Sequence, residues 1–137
     1  MTHAYTPALQ EAARRSAAEL GLTLREGVYM FFPGPQYETP AEIRMFQKLG
    51  GDIVGMTNVP EVCLAREAEI CYATVSMVTN FAAGISDKPL THEEVVDAMA
   101  KSSLRLRQLI LKSIENYPVD EDCACHHTLQ AYGGFTV

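Results

Sequence analysis

Gly27-Val28-Tyr29-Met30-Phe31-Phe32, closed by Pro33-Gly34-Pro35 and followed by Thr39-Pro40-Ala41-Glu42, decides the fold. The uninterrupted apolar run predicts a strand buried on both sides, as in a parallel sheet covered by helices. Thr39 and Glu42 then form a capping box, each satisfying a backbone N–H at a helix entrance, and that helix stops at Gly50-Gly51. The same order recurs downstream. Asp52–Met56 reads as a second strand, Thr57-Asn58-Val59 as a turn, and Pro60 as the opening of a helix to about Ala68. Cys71–Val78 is the third predicted strand, and Thr79-Asn80 leads from it into the loop Phe81–Leu90, which carries the turn formers Gly84, Ser86, Asp87 and Pro89. A second capping box, Thr91-His92-Glu93-Glu94, starts a long amphipathic helix to about Tyr117, with Val95, Met99, Leu106, Ile110 and Ile114 on one stripe. Upstream, Thr6–Leu22 predicts a helix with Thr6 as N-cap, Pro7 in its first turn and Gly21 as its stop.

Strands alternating with crossover helices imply a parallel α/β sheet, in which ligands bind where loops leave the carboxyl ends of the strands. Three loops qualify: Gln36-Tyr37-Glu38, Met56-Thr57-Asn58 and Thr79-Asn80. Glu38 can accept hydrogen bonds from a ring N–H, Asn80 can donate and accept, and Tyr37 offers an aromatic face with a polar tip, a set suited to a heterocycle. Thr57, just ahead of a helix, offers a hydroxyl beside free backbone N–H groups, where an anion can sit. His92 could reach a sugar hydroxyl through a ring nitrogen. Each residue taken alone also has a purely structural reading: a solvated loop carboxylate, a turn asparagine, a packing tyrosine, a helix-start threonine or histidine. Glu42, Glu61 and Glu94 read as capping and dipole-compensating residues.

The 137 residues suffice for one domain that buries roughly 68% of its unfolded surface, with 47% hydrophobic and 20% charged residues, ordinary values for a globular protein. Eleven Lys and Arg against seventeen Asp and Glu leave a net charge of -6, with the basic residues scattered, which argues against nucleic acid as a partner. Any bound phosphate must therefore be held by local donors. No apolar run approaches membrane-spanning length, and Met1–Gln10 carries no secretory pattern, so a cytoplasmic location without a membrane partner is expected. Cys63 and Cys71 fall in apolar elements. Cys123-Ala124-Cys125-His126-His127 has metal-ligand residue types, but its spacing fits no usual zinc pattern, and it reads as a solvated terminus with no metal.

Gly34–Arg44, Val54–Glu61, Ala65-Arg66-Glu67 and Val78-Thr79-Asn80 together closely resemble the trimeric purine nucleoside phosphorylase and methylthioadenosine phosphorylase family, over about Tyr5 to Tyr117. The resemblance covers only the carboxyl-terminal half. It implies an α/β fold, part of a nucleoside-phosphorylase-type mixed sheet flanked by helices and completed by another chain. Residues 1–117 would form the half-domain and 118–137 a tail. It further implies that Glu38 holds the purine ring edge, Asn80 the oxo and N7 side, and that Tyr37 packs on the nucleoside. Met56 matches a ribose-contacting position, Thr57 a phosphate-binding hydroxyl, and His92 the residue for the ribose 5′ hydroxyl. Thr79 belongs to the same substrate-binding set.

The implied reaction is phosphorolysis of a purine nucleoside to free base and sugar 1-phosphate. Inorganic phosphate is the co-substrate, and neither metal nor organic cofactor is needed. Asn80 in place of Asp favours 6-oxopurines, whereas Met56-Thr57-Asn58 and Ala65-Arg66-Glu67 look more like the methylthioadenosine branch. The Gly-rich phosphate loop, a phosphate-binding arginine and a subunit-bridging aromatic of the family lie outside the similarity. A separate chain supplying that half, within a trimer-based or hexameric assembly, is expected. A methylthioadenosine or methylthioinosine phosphorylase subunit, or a non-catalytic subunit stabilising such an enzyme, is the competing reading.

Overall fold

The strand and helix order takes shape in a computed structural model that describes residues 3–86, 91–119 and 122–130. Strands β1 (Tyr29–Phe31) and β2 (Ile53–Gly55) pair in parallel, Tyr29 with Ile53, Met30 with Val54 and Phe31 with Gly55. Between them α2 (Pro40–Lys48) supplies the crossover that a parallel pair requires. The remaining helices are α1 (Pro7–Glu19), α3 (Asn58–Glu67) and α4 (His92–Asn116), with a short 3-10 turn at Ala124–His127. Gly21 and Gly50 end α1 and α2 at φ of 64° and 84°. The N–H groups of Gly21 and Leu22 reach back to Ala18 and Ala17, and those of Gly50 and Gly51 to Gln47 and Phe46. Only a residue free of Cβ strain takes that left-handed turn cheaply.

The contacts divide the chain into two units. One comprises Arg25–Thr57 and Ser76–Arg107. Its core is Phe32, Ile43 and Phe46, with Met30, Val54, Ala82 and Ala83 packed against them. The Phe32 and Phe46 rings meet edge to face at 5.9 Å, an arrangement favoured by their quadrupoles. Ahead of the strands, the Asp52 carboxylate accepts from the Val28 N–H at 2.7 Å, and the Asp52 N–H donates to the Val28 carbonyl at 2.9 Å.

The other unit comprises Met1–Leu24, Asn58–Val75 and Gln108–Val137. Here α1 buries Ala12, Ser16 and Ala17. The Asn116 amide at the end of α4 donates to Ser16 Oγ and to the Glu19 carboxylate, and Arg15 donates to the Asn116 carbonyl. Tyr5 stacks on Tyr72 at 6.3 Å.

Several sequence expectations are corrected. β1 is shorter than Gly27–Phe32 and half-buried rather than covered on both sides. α3 begins at Asn58, so Pro60 lies inside its first turn, where its missing N–H would have had no helical partner. Cys71–Val78 is not a strand among the described residues, because a strand exists only as one side of a hydrogen-bonded ladder and this segment has none; Val78 is 66% exposed. The α4 stripe is largely uncovered, with Ile110 and Ile114 exposed and Leu109 the buried residue of the helix. Asp87–Leu90, part of the expected loop, lies outside the described residues. The solvated reading of the terminus fails at Cys125, which is 4% exposed and meets Thr6 and Arg66 within its own unit.

Ile43 is 4% exposed in the core and Met45, two residues on, is 48% exposed. Ile43→Ala is expected to cost about 2–5 kcal/mol through lost contacts and a residual cavity, and Met45→Ala less than about 0.5 kcal/mol. Urea denaturation of the two variants checks the contrast.

Candidate functional site

Parallel pairing puts the carboxyl ends of β1 and β2 at the same edge, and the ladder continues one step past β1, where the Phe32 N–H donates to the Gly55 carbonyl at 3.0 Å. The chain then leaves through Pro33–Glu38. A Cβ placed on Gly34 would stand 3.2 Å from the sulfur of Met56, so the first and second exit loops run side by side. The third loop reaches the same place by packing: Ala82 and Ala83 sit against the Phe32, Ile43, Phe46 core, and a Cβ on Gly84 would meet that of Pro40 at 2.7 Å. Pro40 opens α2, two residues beyond Glu38. Gly34, Ala82, Ala83 and Gly84 are thus the small residues at which these segments approach one another. Their small size within turn-rich stretches was the only signal the sequence offered for them.

All the predicted site residues, Tyr37, Glu38, Met56, Thr57, Thr79, Asn80 and His92, belong to this one unit. Glu38, Met56 and Thr79 are half-buried, while Thr57, Asn80 and His92 are exposed and Tyr37 is 85% exposed. Asn80 Nδ2 donates to Thr79 Oγ1 at 3.0 Å, which joins these two neighbours and leaves the Asn80 oxygen for another donor. Thr57 directly precedes α3, and His92 is the first residue of α4, whose entrance is capped by Thr91 Oγ1 accepting from the Glu94 N–H at 3.3 Å.

The position of Glu38 is set by the turn that follows it. The Glu42 carboxylate accepts from both the N–H and the hydroxyl of Thr39 at 2.7 Å, and Thr39 Oγ1 accepts from the Glu42 N–H at 3.3 Å, the complete capping box read from the sequence. The Thr39 N–H, then its hydroxyl, hold the Glu42 carboxyl below its ordinary value.

With this geometry in place, the comparisons are informative. The sequence profile described as phosphorylase superfamily matches residues 1–115, so the chain belongs to that superfamily. It is 50% identical over 125 residues to a protein of Moorella thermoacetica named probable 6-oxopurine nucleoside phosphorylase, a match covering 90% of this chain and 48% of the relative. It is also 50% identical over 131 residues to a Methanopyrus kandleri protein named probable S-methyl-5′-thioinosine phosphorylase, covering 95% and 51%. The crystal structure of Schistosoma mansoni purine nucleoside phosphorylase in complex with inosine superposes with a TM-score of 0.79 at 38% identity, covering 87% of this chain and 44% of that one. These likenesses bear out the resemblance to the purine nucleoside and methylthioadenosine phosphorylases and the α/β fold it implied. The chain spans about half the length of the curated relatives it matches. No helix of the described residues is long and apolar enough to cross a membrane.

Because the folded Glu42 carboxyl titrates below its ordinary value of 4.5, the capping box adds stability that is complete above pH 4.5 and is lost as pH falls through the lowered value. The stability gap between the wild type and Glu42→Gln, followed by urea denaturation, should hold steady at neutral pH and close in acid. A gap that persists far into the acid range would mean that the carboxylate charge contributes nothing.

Proposed function

We propose that this chain provides the base-holding half of a purine nucleoside phosphorylase that acts on 6-oxopurine nucleosides. The observation that supports the reading is that the loops leaving β1 and β2 meet at Gly34 and Met56, while the segment after Asn80 packs Ala82 and Ala83 on the Phe32, Ile43, Phe46 core and brings Gly84 against Pro40. Both named relatives point to the same base, since S-methyl-5′-thioinosine carries its sulfur on the sugar and keeps the 6-oxopurine of inosine. They differ at the 5′ position, and an S-methyl-5′-thioinosine phosphorylase is accordingly the second reading.

In the proposed reaction a phosphate oxygen attacks the anomeric carbon, the bond from that carbon to the purine nitrogen breaks, and its electron pair leaves with the base. Glu38 and Asn80 are the catalytic residues: Glu38 grips a ring N–H, and Asn80 donates to the oxo and N7 edge as negative charge grows there. Donors that strengthen with the developing charge lower the barrier rather than merely tightening substrate binding. Tyr37 covers the nucleoside, Met56 and Thr79 line the sugar and base, Thr57 gives a hydroxyl to phosphate, and His92 meets the 5′ group. The chemistry calls for no metal or organic cofactor. One hydroxyl does not balance a phosphate dianion in a chain of net charge -6, so the main phosphate donors come from polypeptide beyond these residues. A trimer-based assembly and a cytoplasmic setting belong to the same proposal.

Two experiments test it. Combined with a polypeptide carrying the other half of the relatives' length, the chain should cleave inosine only when phosphate is present. A folded complex that binds hypoxanthine and phosphate without turnover would refute catalysis, and one that binds neither would identify a purely structural subunit. In the active complex, Asn80→Asp should shift the preference from 6-oxo towards 6-amino purines by about tenfold, the worth of one hydrogen bond. Unchanged relative kcat/KM values would remove Asn80 from base recognition.

A further inference from the structure

In the unit that does not carry the candidate site residues, segments distant in sequence bring three thiols together. The Sγ atoms of Cys71, Cys123 and Cys125 all lie within 4.8 Å of one another, and those of Cys71 and Cys123 are 3.4 Å apart. All three belong to the same unit. Cys125 is buried, and Cys71 and Cys123 are half-buried. Thr6 Oγ1 stands 3.2 Å from Cys125 Sγ, and Arg66 Nη1 donates to that sulfur at 3.3 Å.

We propose that Cys71, Cys123 and Cys125 form a binding site for a thiophilic divalent metal ion of the Zn2+ type. Thiolates bound at about 2.3 Å around a tetrahedral zinc ion lie roughly 3.8 Å from one another, a spacing this cluster reaches with small side-chain adjustments. Sulfur donors select zinc-like ions over hard cations such as Mg2+. The charges also close: three thiolates carry three negative charges, a divalent ion cancels two, and the Arg66 guanidinium stands against Cys125 to balance the third. Binding releases the three thiol protons to solvent and involves no change of oxidation state. With three protein ligands, the fourth position is left to water. The site is structural: it ties the segment around the 3-10 turn to Cys71. Its ligands are drawn from positions 52 residues apart, which is why no spacing pattern in the sequence betrays it.

The full chain, reduced with a phosphine and stripped with a chelator, is titrated with Zn2+ against a competing dye and with Cd2+, read by its thiolate charge-transfer absorption. One saturating equivalent with a charge-transfer band is expected. Cys71→Ser, Cys123→Ser and Cys125→Ser should each weaken binding by at least about tenfold, the lower end of losses caused even by outer-shell changes. Cys63→Ser, outside the cluster, should leave binding unchanged. Should the serine variants fail to fold, alkylation of the wild type decides: Zn2+ should protect three of its four thiols, sparing only Cys63 for modification. A folded, reduced chain with no saturable binding, a band unaltered by all three substitutions, or equal alkylation of all four thiols with and without Zn2+ overturns the proposal.

Discussion

The candidate site depends on one constraint, the parallel pairing of β1 with β2. If the strands ran antiparallel, Glu38 and Met56 would leave the pair at opposite ends. Because they run the same way, the loop through Gly34 lies against Met56. The pairing is fixed ahead of the strands by the two bonds between Val28 and Asp52, and behind them by Phe32, whose backbone extends the ladder while its ring enters the core. The cluster it joins with Ile43 and Phe46 receives Ala82 and Ala83, so the core that supports the sheet also docks the segment after Asn80.

What the sequence made legible is what short-range chemistry dictates. Thr39 and Glu42 needed only each other to specify the entrance of α2, and Gly21 and Gly50 needed only the left-handed turn they permit. Features requiring a distant partner were not legible. Cys71–Val78 has the composition of a strand, yet composition cannot supply a neighbour's N–H and C=O groups. The stripe of Ile110 and Ile114 has helical periodicity, which says which residues share a face but not what covers it. Cys125 looked like part of a polar terminus because its neighbours Arg66, Thr6 and Cys71 are far away in sequence. The site residues themselves stood out only through the resemblance of their motifs to a known family, since one Asn or Glu in a loop says little.

The division of labour in the proposed reaction follows from charge. A net charge of -6 does not repel a neutral purine nucleoside, which is compatible with the carboxylate and amide proposed for the base side. Phosphate is a different problem, requiring concentrated local donors, to which the proposed set contributes the Thr57 hydroxyl. The chain's coverage of about half of its relatives accords with that split.

Thr6 occupies an unusual junction. It stands at the start of α1, yet its hydroxyl accepts from the Tyr72 N–H and contacts Cys125, while its own N–H donates to the Tyr72 carbonyl. One side chain thus joins segments up to 119 residues apart. During vectorial synthesis on the ribosome that three-way knot closes only after Cys125 emerges, and contacts so remote along the chain are slow to form.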